Sequence, residues 1–435
     1  MSKTLQSDPL STQKEQSANK SLGPVLIIGV LFFVFGFITW LNSVLIPYLK
    51  IACQLNNREA YLVATAFYIA YLLMAYPSTL LLKKMGFKNG MSAGLVIIGL
   101  GALIFIPAAI TRVYGLFLTG LFVQGAGLAV LQSASNPYIT ILGPVESAAK
   151  RISIMGIFNK VAGAIAPIIL GAITLKDADK LKIQLLKMTS AEKEVALTGL
   201  AHRVILPYIA IIVVLIILAI GVYFSSLPEI DTDKEEKTDN QPVSTQTSIL
   251  NFPHLLLGVL TIFFYVGVEV LSGDSVISYG SSIGIPLATA KFFTTCTFTG
   301  MLVGYIVGII CIPKYFSQGN ALKVSAILGV IFSLAAIFTH GYTSVFFIAL
   351  LGLANALMWP AIWPLAINGL GKFTKIGSSL LIMGIAGGAL IPYLYGYLAD
   401  IFSPREAYWI LIPSYIFIGY YAVWGHKIKP VAVRR

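Results

Sequence analysis

Apolar residues in this chain are gathered into long runs near 22 to 48, 60 to 82, 91 to 110, 114 to 142, 152 to 174 and 204 to 226, and again near 253 to 272, 286 to 312, 321 to 339, 343 to 368, 376 to 398 and 406 to 425. Each is close to the roughly twenty residues that a helix needs to cross a hydrocarbon core. Between the two sets of six, Ser225 to Thr247 carries Glu229, Asp231, Asp233, Glu235, Glu236 and Asp239 among Pro, Ser and Thr. It has too little apolar surface to pack and reads as a solvated linker. The pattern predicts an all-α polytopic membrane protein with about 12 transmembrane helices in two six-helix bundles. Its expected divisions are a tail over 1–21, a bundle over 22–226, a linker over 227–250, a second bundle over 251–426 and a tail over 427–435.

Composition supports this and changes one point. With 57% hydrophobic and 11% charged residues and a mean hydropathy of +0.84, the chain lies outside soluble composition. The first 21 residues are polar and the run after them is too long for a signal h-region, so no cleaved leader is expected. The net charge of +12 resembles a nucleic-acid footprint until its placement is considered. Basic residues fall in alternate short loops, at Lys83, Lys84 and Lys88, at Lys150 and Arg151, at Lys314, at Lys372 and Lys375, and at Lys427, Lys429, Arg434 and Arg435. The intervening short loops hold only Lys50, Arg58, Arg112 and Arg405. That asymmetry predicts membrane orientation, with both termini cytoplasmic and the protein integral to the plasma membrane, and no nucleic-acid partner. Cys53, Cys296 and Cys311 lie in or beside apolar segments and imply no disulfide framework.

One stretch recurs. Leu142-Gly143, a short basic loop and Ile154-Met155-Gly156-Ile157 are matched, at the same internal spacing, by Leu370-Gly371, another basic loop and Ile382-Met383-Gly384-Ile385. Pro137 and Pro167 of the first copy are answered by Pro364 and Pro392. A helical pair repeated in the same order in each half implies parallel bundles with a site between them, the layout of a carrier. The long loop from Lys176 to Arg203 is amphipathic and is expected to form a short interfacial helix.

Tyr76-Pro77-Ser78 followed by Leu82-Lys83-Lys84-Met85-Gly86-Phe87-Lys88 resembles the loop after the second helix in the major facilitator superfamily, without its usual acidic residue. Within that superfamily the chain resembles the fucose:proton symporter family, which includes glucose/galactose transporters and N-acetylglucosamine permeases. The resemblance is carried by Trp40-Leu41-Asn42-Ser43-Val44-Leu45-Ile46-Pro47, Ser133-Ala134-Ser135-Asn136-Pro137-Tyr138, Phe158-Asn159, Phe263-Phe264-Tyr265-Val266-Gly267 and Lys375-Ile376-Gly377-Ser378-Ser379. It implies a carrier that takes up a hexose of the glucose/galactose type or a related small sugar by cation-driven symport through alternating access, and a functional monomer with no cofactor. Fucose-transporting members carry an Asp where this chain has Ser43 and a Glu where it has Gln132. Neither replacement titrates near neutral pH, so that proton route does not transfer. Glucose/galactose members resemble this chain in having an amide at the Gln132 position.

A sugar offers hydroxyls around apolar C–H faces, so its site needs amides that both donate and accept, and aromatic faces to stack upon. Asn42, Gln132, Asn136 and Asn159 supply the amides, and Trp40, Trp359 and Trp363 the faces. Buried amides also join helices, and tryptophans also pack or form interfacial belts, so each of these residues has a second, structural reading. Intramembrane charges mark ion and substrate pathways. Lys160 and Glu269 are the candidate coupling residues, with Lys160 expected either to pair with a carboxylate or to stand in for a bound cation. Asp274 lies further along the same helix as Glu269, and Lys291 stands at a helix start, in reach of the surface. The coupling ion, H+ or Na+, stays open. The dispersed His202, His254, His340 and His426 form no metal or nucleophile motif, which argues against an enzyme. Within transport, the alternatives are an N-acetylglucosamine or other sugar permease and a proton-driven efflux carrier.

Overall fold

The computed structural model describes residues 9–141, 148–227, 248–312, 315, 317–370 and 373–428. Most of the acidic linker, Leu142 and Gly143 of the repeated motif, Gly371, Lys314, Lys372, Lys429, Arg434 and Arg435 lie outside the described residues, as do the side chains of Pro137, Lys150 and Lys375. Among the described residues every regular element is helical. We number the spans α1 (Gly23–Ala52), α2 and α3 (57–85 and 87–111 of the run Asn57–Thr111), α4 (Tyr114–Ile141), α5 (Ala148–Thr174), α6 (Ile205–Phe224), α7 (Pro253–Ser282), α8 (Leu287–Cys311), α9 (Gln318–Phe338), α10 (Gly341–Ile367), α11 (Ile376–Ile401) and α12 (Glu406–Lys427).

α2 and α3 are two helices joined at a sharp kink, as the sequence pattern predicts for two spans on either side of a short basic turn. Gly86 turns the chain there with φ 76° and ψ 175°, a conformation that L side chains rarely adopt. Ahead of α1 the helix already starts at Pro9, so part of the polar leader is helical too. The loop between α5 and α6 forms two helices rather than one, Ala178–Leu185 and Ser190–His202. Thr189 and Glu192 make a reciprocal capping box at the start of the second. That second helix is anchored by the Tyr48 hydroxyl, which donates to the carbonyls of Leu200 and Ala201.

Packing follows the sequence repeat. In the first half α1 runs against α5 so closely that a Cβ at Gly36 would lie 2.2 Å from the Asn159 carbonyl oxygen. In the second half α7 runs against α11, where a Cβ at Gly387 would lie 1.8 Å from the Phe263 carbonyl oxygen. These are corresponding pairs in a six-plus-six chain, so each bundle is built on the same backbone-to-backbone seam. The halves then meet along two further corresponding seams, α2 with α11 and α5 with α8.

At the end that carries the α1–α2, α7–α8 and α11–α12 loops, the halves are latched. Asp400, at the end of α11, accepts hydrogen bonds from the backbone N–H groups of Asn57 and Arg58 and from Asn57 Nδ2, at 3.0, 2.7 and 2.7 Å. Arg58 donates to the Tyr393 hydroxyl at 2.6 Å and lies over the rings of Tyr393 and Tyr397. Lys182 reaches across to Ser281 at 3.0 Å. Because Asp400 is exposed, removing its carboxylate should weaken the latched state by about 1 kcal/mol, enough to shift its population several-fold. Spin labels at Leu186 and Phe402, which are exposed on opposite halves, should show a longer and broader distance distribution in Asp400→Ala than in wild type; matching distributions would contradict the latch.

Candidate functional site

A lysine at mid-membrane needs a partner, since an unpaired charge there costs several kcal/mol. Lys160, on α5, has one in the opposite half: its Nζ lies 2.5 Å from Oε1 of Glu269 on α7. Both residues are 7% exposed. This is the first of the two alternatives open for Lys160, a pair across the bundle. The ammonium also stands 4.8 Å from the centroid of the Trp40 ring and 5.6 Å from that of Phe298, where the negative faces of the rings add to its stabilisation.

Trp40 is the wall of this site. It is 3% exposed, tilted against Phe298 at 4.3 Å between centroids, and seated against Gly163 and Gly273, which leave room for the indole because they carry no side chain. Its Nε1 donates to Asn159 Oδ1 at 3.4 Å, which leaves Asn159 Nδ2 without a protein partner. In this conformation the Trp40 ring is packed against protein groups, and the Asn159 amide keeps an unused donor.

A second group lies one turn from Glu269. Tyr265 of α7 faces Trp359 of α10 at 6.3 Å, and Trp359 stacks on Trp363 at 5.4 Å with 28° between planes. Both tryptophans are only partly buried. Tyr265, Tyr305 and Tyr415 lie within electrostatic reach of Glu269. Behind them Tyr415 donates to Asn355 Oδ1 at 2.9 Å, and Asn355 Nδ2 reaches Ser272 at 3.3 Å.

The third group is on α2 and α4. Gln132 is 6% exposed and donates from Nε2 to the Tyr71 hydroxyl at 2.8 Å. Tyr71 stacks on Tyr68 at 6.2 Å. Asn136, one turn on from Gln132, is half-buried. Asn42 is fully buried in α1 with neither side-chain atom hydrogen-bonded. Ser43, at the position where fucose-transporting members carry an acid, donates back to the Trp40 carbonyl. The structure therefore gathers Trp40, Asn159, Lys160 and Glu269 in direct contact, places Trp359 and Trp363 one helical turn away through Tyr265, and holds Gln132 through Tyr71.

The aromatic hydroxyls are what the sequence alone did not single out. Tyr68, Tyr71, Tyr265, Tyr305 and Tyr415 are all buried among these residues. Their one sequence signal was Tyr265 inside the Phe263-Phe264-Tyr265-Val266-Gly267 block. Among the described residues no group of three or more His, Cys, Asp or Glu is placed to hold a metal ion.

A sequence profile of the Major Facilitator Superfamily matches residues 28–384. The chain belongs to the major facilitator superfamily. A curated relative from Brucella abortus, named a glucose/galactose transporter, is 34% identical over 424 residues, covering 97% of this chain and 98% of its own. The L-fucose-proton symporter of Escherichia coli is 29% identical, with 90% and 92% covered. Among solved structures, the major facilitator transporter FucP in the outward conformation superposes with a TM-score of 0.70 at 28% identity, covering 93% of this chain and 99% of that one. The chain is thus an integral membrane protein of a transporter superfamily.

Breaking a buried pair by removing one partner leaves the other charge bare, at a cost of about 3 to 5 kcal/mol, whereas removing both costs much less. Lys160→Met and Glu269→Gln should each lower the unfolding temperature of purified protein clearly, and the double variant should be more stable than the sum of the two predicts. Strictly additive losses would show that the two side chains do not depend on each other.

Proposed function

We propose that this major facilitator protein is a secondary active carrier that takes up a hexose of the glucose/galactose type by cation-coupled symport. It works as a monomer in the plasma membrane with both termini cytoplasmic, and its bundles over 22–226 and 251–426 rock about the central site. The reading is supported above all by one observation: neutral amides, tyrosines and a stacked tryptophan pair, carried on helices of both halves, stand near the buried Lys160–Glu269 ion pair. That inventory suits a ring of hydroxyls with apolar faces, and a charged substrate would not require so many neutral donors and acceptors.

In this reading Gln132, Asn136, Asn159 and Asn42 offer hydrogen bonds to the sugar and Trp359, with Trp363 behind it, offers the stacking face. Trp40 positions the Asn159 amide and shields Lys160. Glu269 and Lys160 form the coupling pair, closing charge on charge between the bundles in one conformation and parting in another. The full-length similarity to a glucose/galactose transporter favours a hexose, with N-acetylglucosamine as the neighbouring possibility for the same class of site.

The test is transport by purified protein in vesicles loaded with unlabelled sugar, using labelled glucose, galactose and N-acetylglucosamine. Counterflow of one of them in wild type is the expected result. Gln132→Ala and Asn159→Ala should each weaken binding of that sugar, measured by calorimetry, by about 1 to 3 kcal/mol, because each leaves a buried hydroxyl unpaired. Trp359→Phe should retain most counterflow and Trp359→Ala should lose it. Wild-type affinity in both amide variants would contradict the assigned site.

A further inference from the structure

One ionisable group in the membrane core is left over when the site has been assembled. Asp274, on α7 beyond Glu269, is 0% exposed, and neither carboxyl oxygen has a hydrogen-bond partner. The lysine that neutralises Glu269 is committed to it at 2.5 Å. An ionised carboxylate with no partner in such surroundings costs far more than folding can offset, so the group has to be neutral in this conformation.

Its neighbours come from both halves. Tyr61 and Tyr68 of α2 are within electrostatic reach, and Tyr68 reaches Glu269 and Tyr71 as well. The hydroxyls of Tyr68 and of Ser278, one turn beyond Asp274, also lack partners. Tyr395 of α11 packs edge-on against Tyr61, and Tyr408 of α12 packs on Tyr395 and bonds to Ser275. From α1 and α8 come Trp40 and Phe298 against Gly273 and Thr294 bonded to its carbonyl, none of which titrates. Gly388 of α11 brings Tyr68 and Val270 together, its absent side chain leaving them 3.0 and 3.1 Å from where a Cβ would stand. Asp274 is therefore sealed at the α2–α11 seam, beneath the Asp400 latch.

We propose that Asp274 is the site at which this carrier binds its coupling proton. The inference deepens the symport reading and rests on it for the word coupling, while the binding site itself rests on the carboxyl and its surroundings. A metal cation would draw several oxygens around it, and the Asp274 oxygens have not one hydrogen-bonding oxygen beside them. A proton needs only the carboxylate. In the cycle one proton adds to a carboxylate oxygen of Asp274 to give the neutral acid when the seam closes over it; when the seam parts and water arrives, the same O–H bond breaks and the proton leaves as hydronium, restoring the carboxylate. Tyr68 links this event to the sugar, since it stacks on the tyrosine that holds Gln132 and lies near Glu269.

Infrared spectroscopy of the purified full chain at neutral pH tests the proton directly. Wild type should show a carboxylic-acid C=O stretch that disappears in Asp274→Asn and moves in Asp274→Glu, the second variant guarding against a failure of the first to fold. No such band in wild type, or a band that both variants leave in place, overturns the proposal. In vesicles with a proton gradient imposed, Asp274→Asn should lose accumulation at least tenfold and its sugar counterflow should lose its pH dependence; accumulation at the wild-type level overturns the coupling role. A band assigned to Asp274 in a protein that moves none of the sugars would uphold the proton site and sink the sugar reading.

Discussion

The contact on which the rest of this molecule depends is the ion pair between Lys160 and Glu269, because it is the place where the two halves meet charge on charge inside the membrane. Either residue left charged and unpaired is costly: in hydrocarbon the bare ammonium or carboxylate is expensive, and the rings of Trp40 and Phe298 stabilise the cation without neutralising it. The pair fixes α5 against α7, and the residues that frame it, Gly163, Gly273 and Asn159, are seated by the same close approach. A buried pair of this kind is poor at adding stability over an apolar substitute and good at specifying one arrangement. In a carrier that alternates between arrangements, such a contact is also the natural one to be switched.

Around it the packing is duplicated. The α1–α5 seam in one bundle and the α7–α11 seam in the other are made by backbone contact at glycine, and the seams between bundles, α2 with α11 and α5 with α8, are likewise related. Rigid bundles joined along two equivalent seams can rock, and polar groups at one end can hold one extreme of the motion. The Asp400 latch does this with exposed hydrogen bonds that water can replace cheaply, while the interior bond between Lys160 and Glu269 has no such substitute. The contrast supports the proposal that the ion pair, and not the latch, serves coupling.

Much of this was legible in the sequence, for identifiable reasons. Twelve apolar runs, the repeated Ile-Met-Gly-Ile blocks and the side-to-side charge bias are consequences of the bilayer, which punishes any departure from apolar helices. Lys160 and Glu269 stood out because charges are rare in such runs. What could not be read was who meets whom. That Trp40 meets Lys160 and Phe298 depends on α1, α5, α7 and α8 converging, which no local spacing encodes. The tyrosines escaped notice because a chain with 21 of them offers no way to tell a hydroxyl at the site from one at an interface. The turn at Gly86, by contrast, was legible, because it falls in the short basic stretch that separates two apolar runs. Asp274 was visible as a carboxylate but not as an unpaired one, since pairing is a fact of three dimensions.

The central claim, that charge pairing between the bundles transmits the cation gradient to the substrate, is tested most directly by comparing uphill accumulation with counterflow for Glu269→Gln in vesicles, with proton and sodium gradients imposed separately. The account predicts that the variant exchanges labelled sugar yet fails to concentrate it under either gradient. A Glu269→Gln protein that concentrates sugar as wild type does would contradict it.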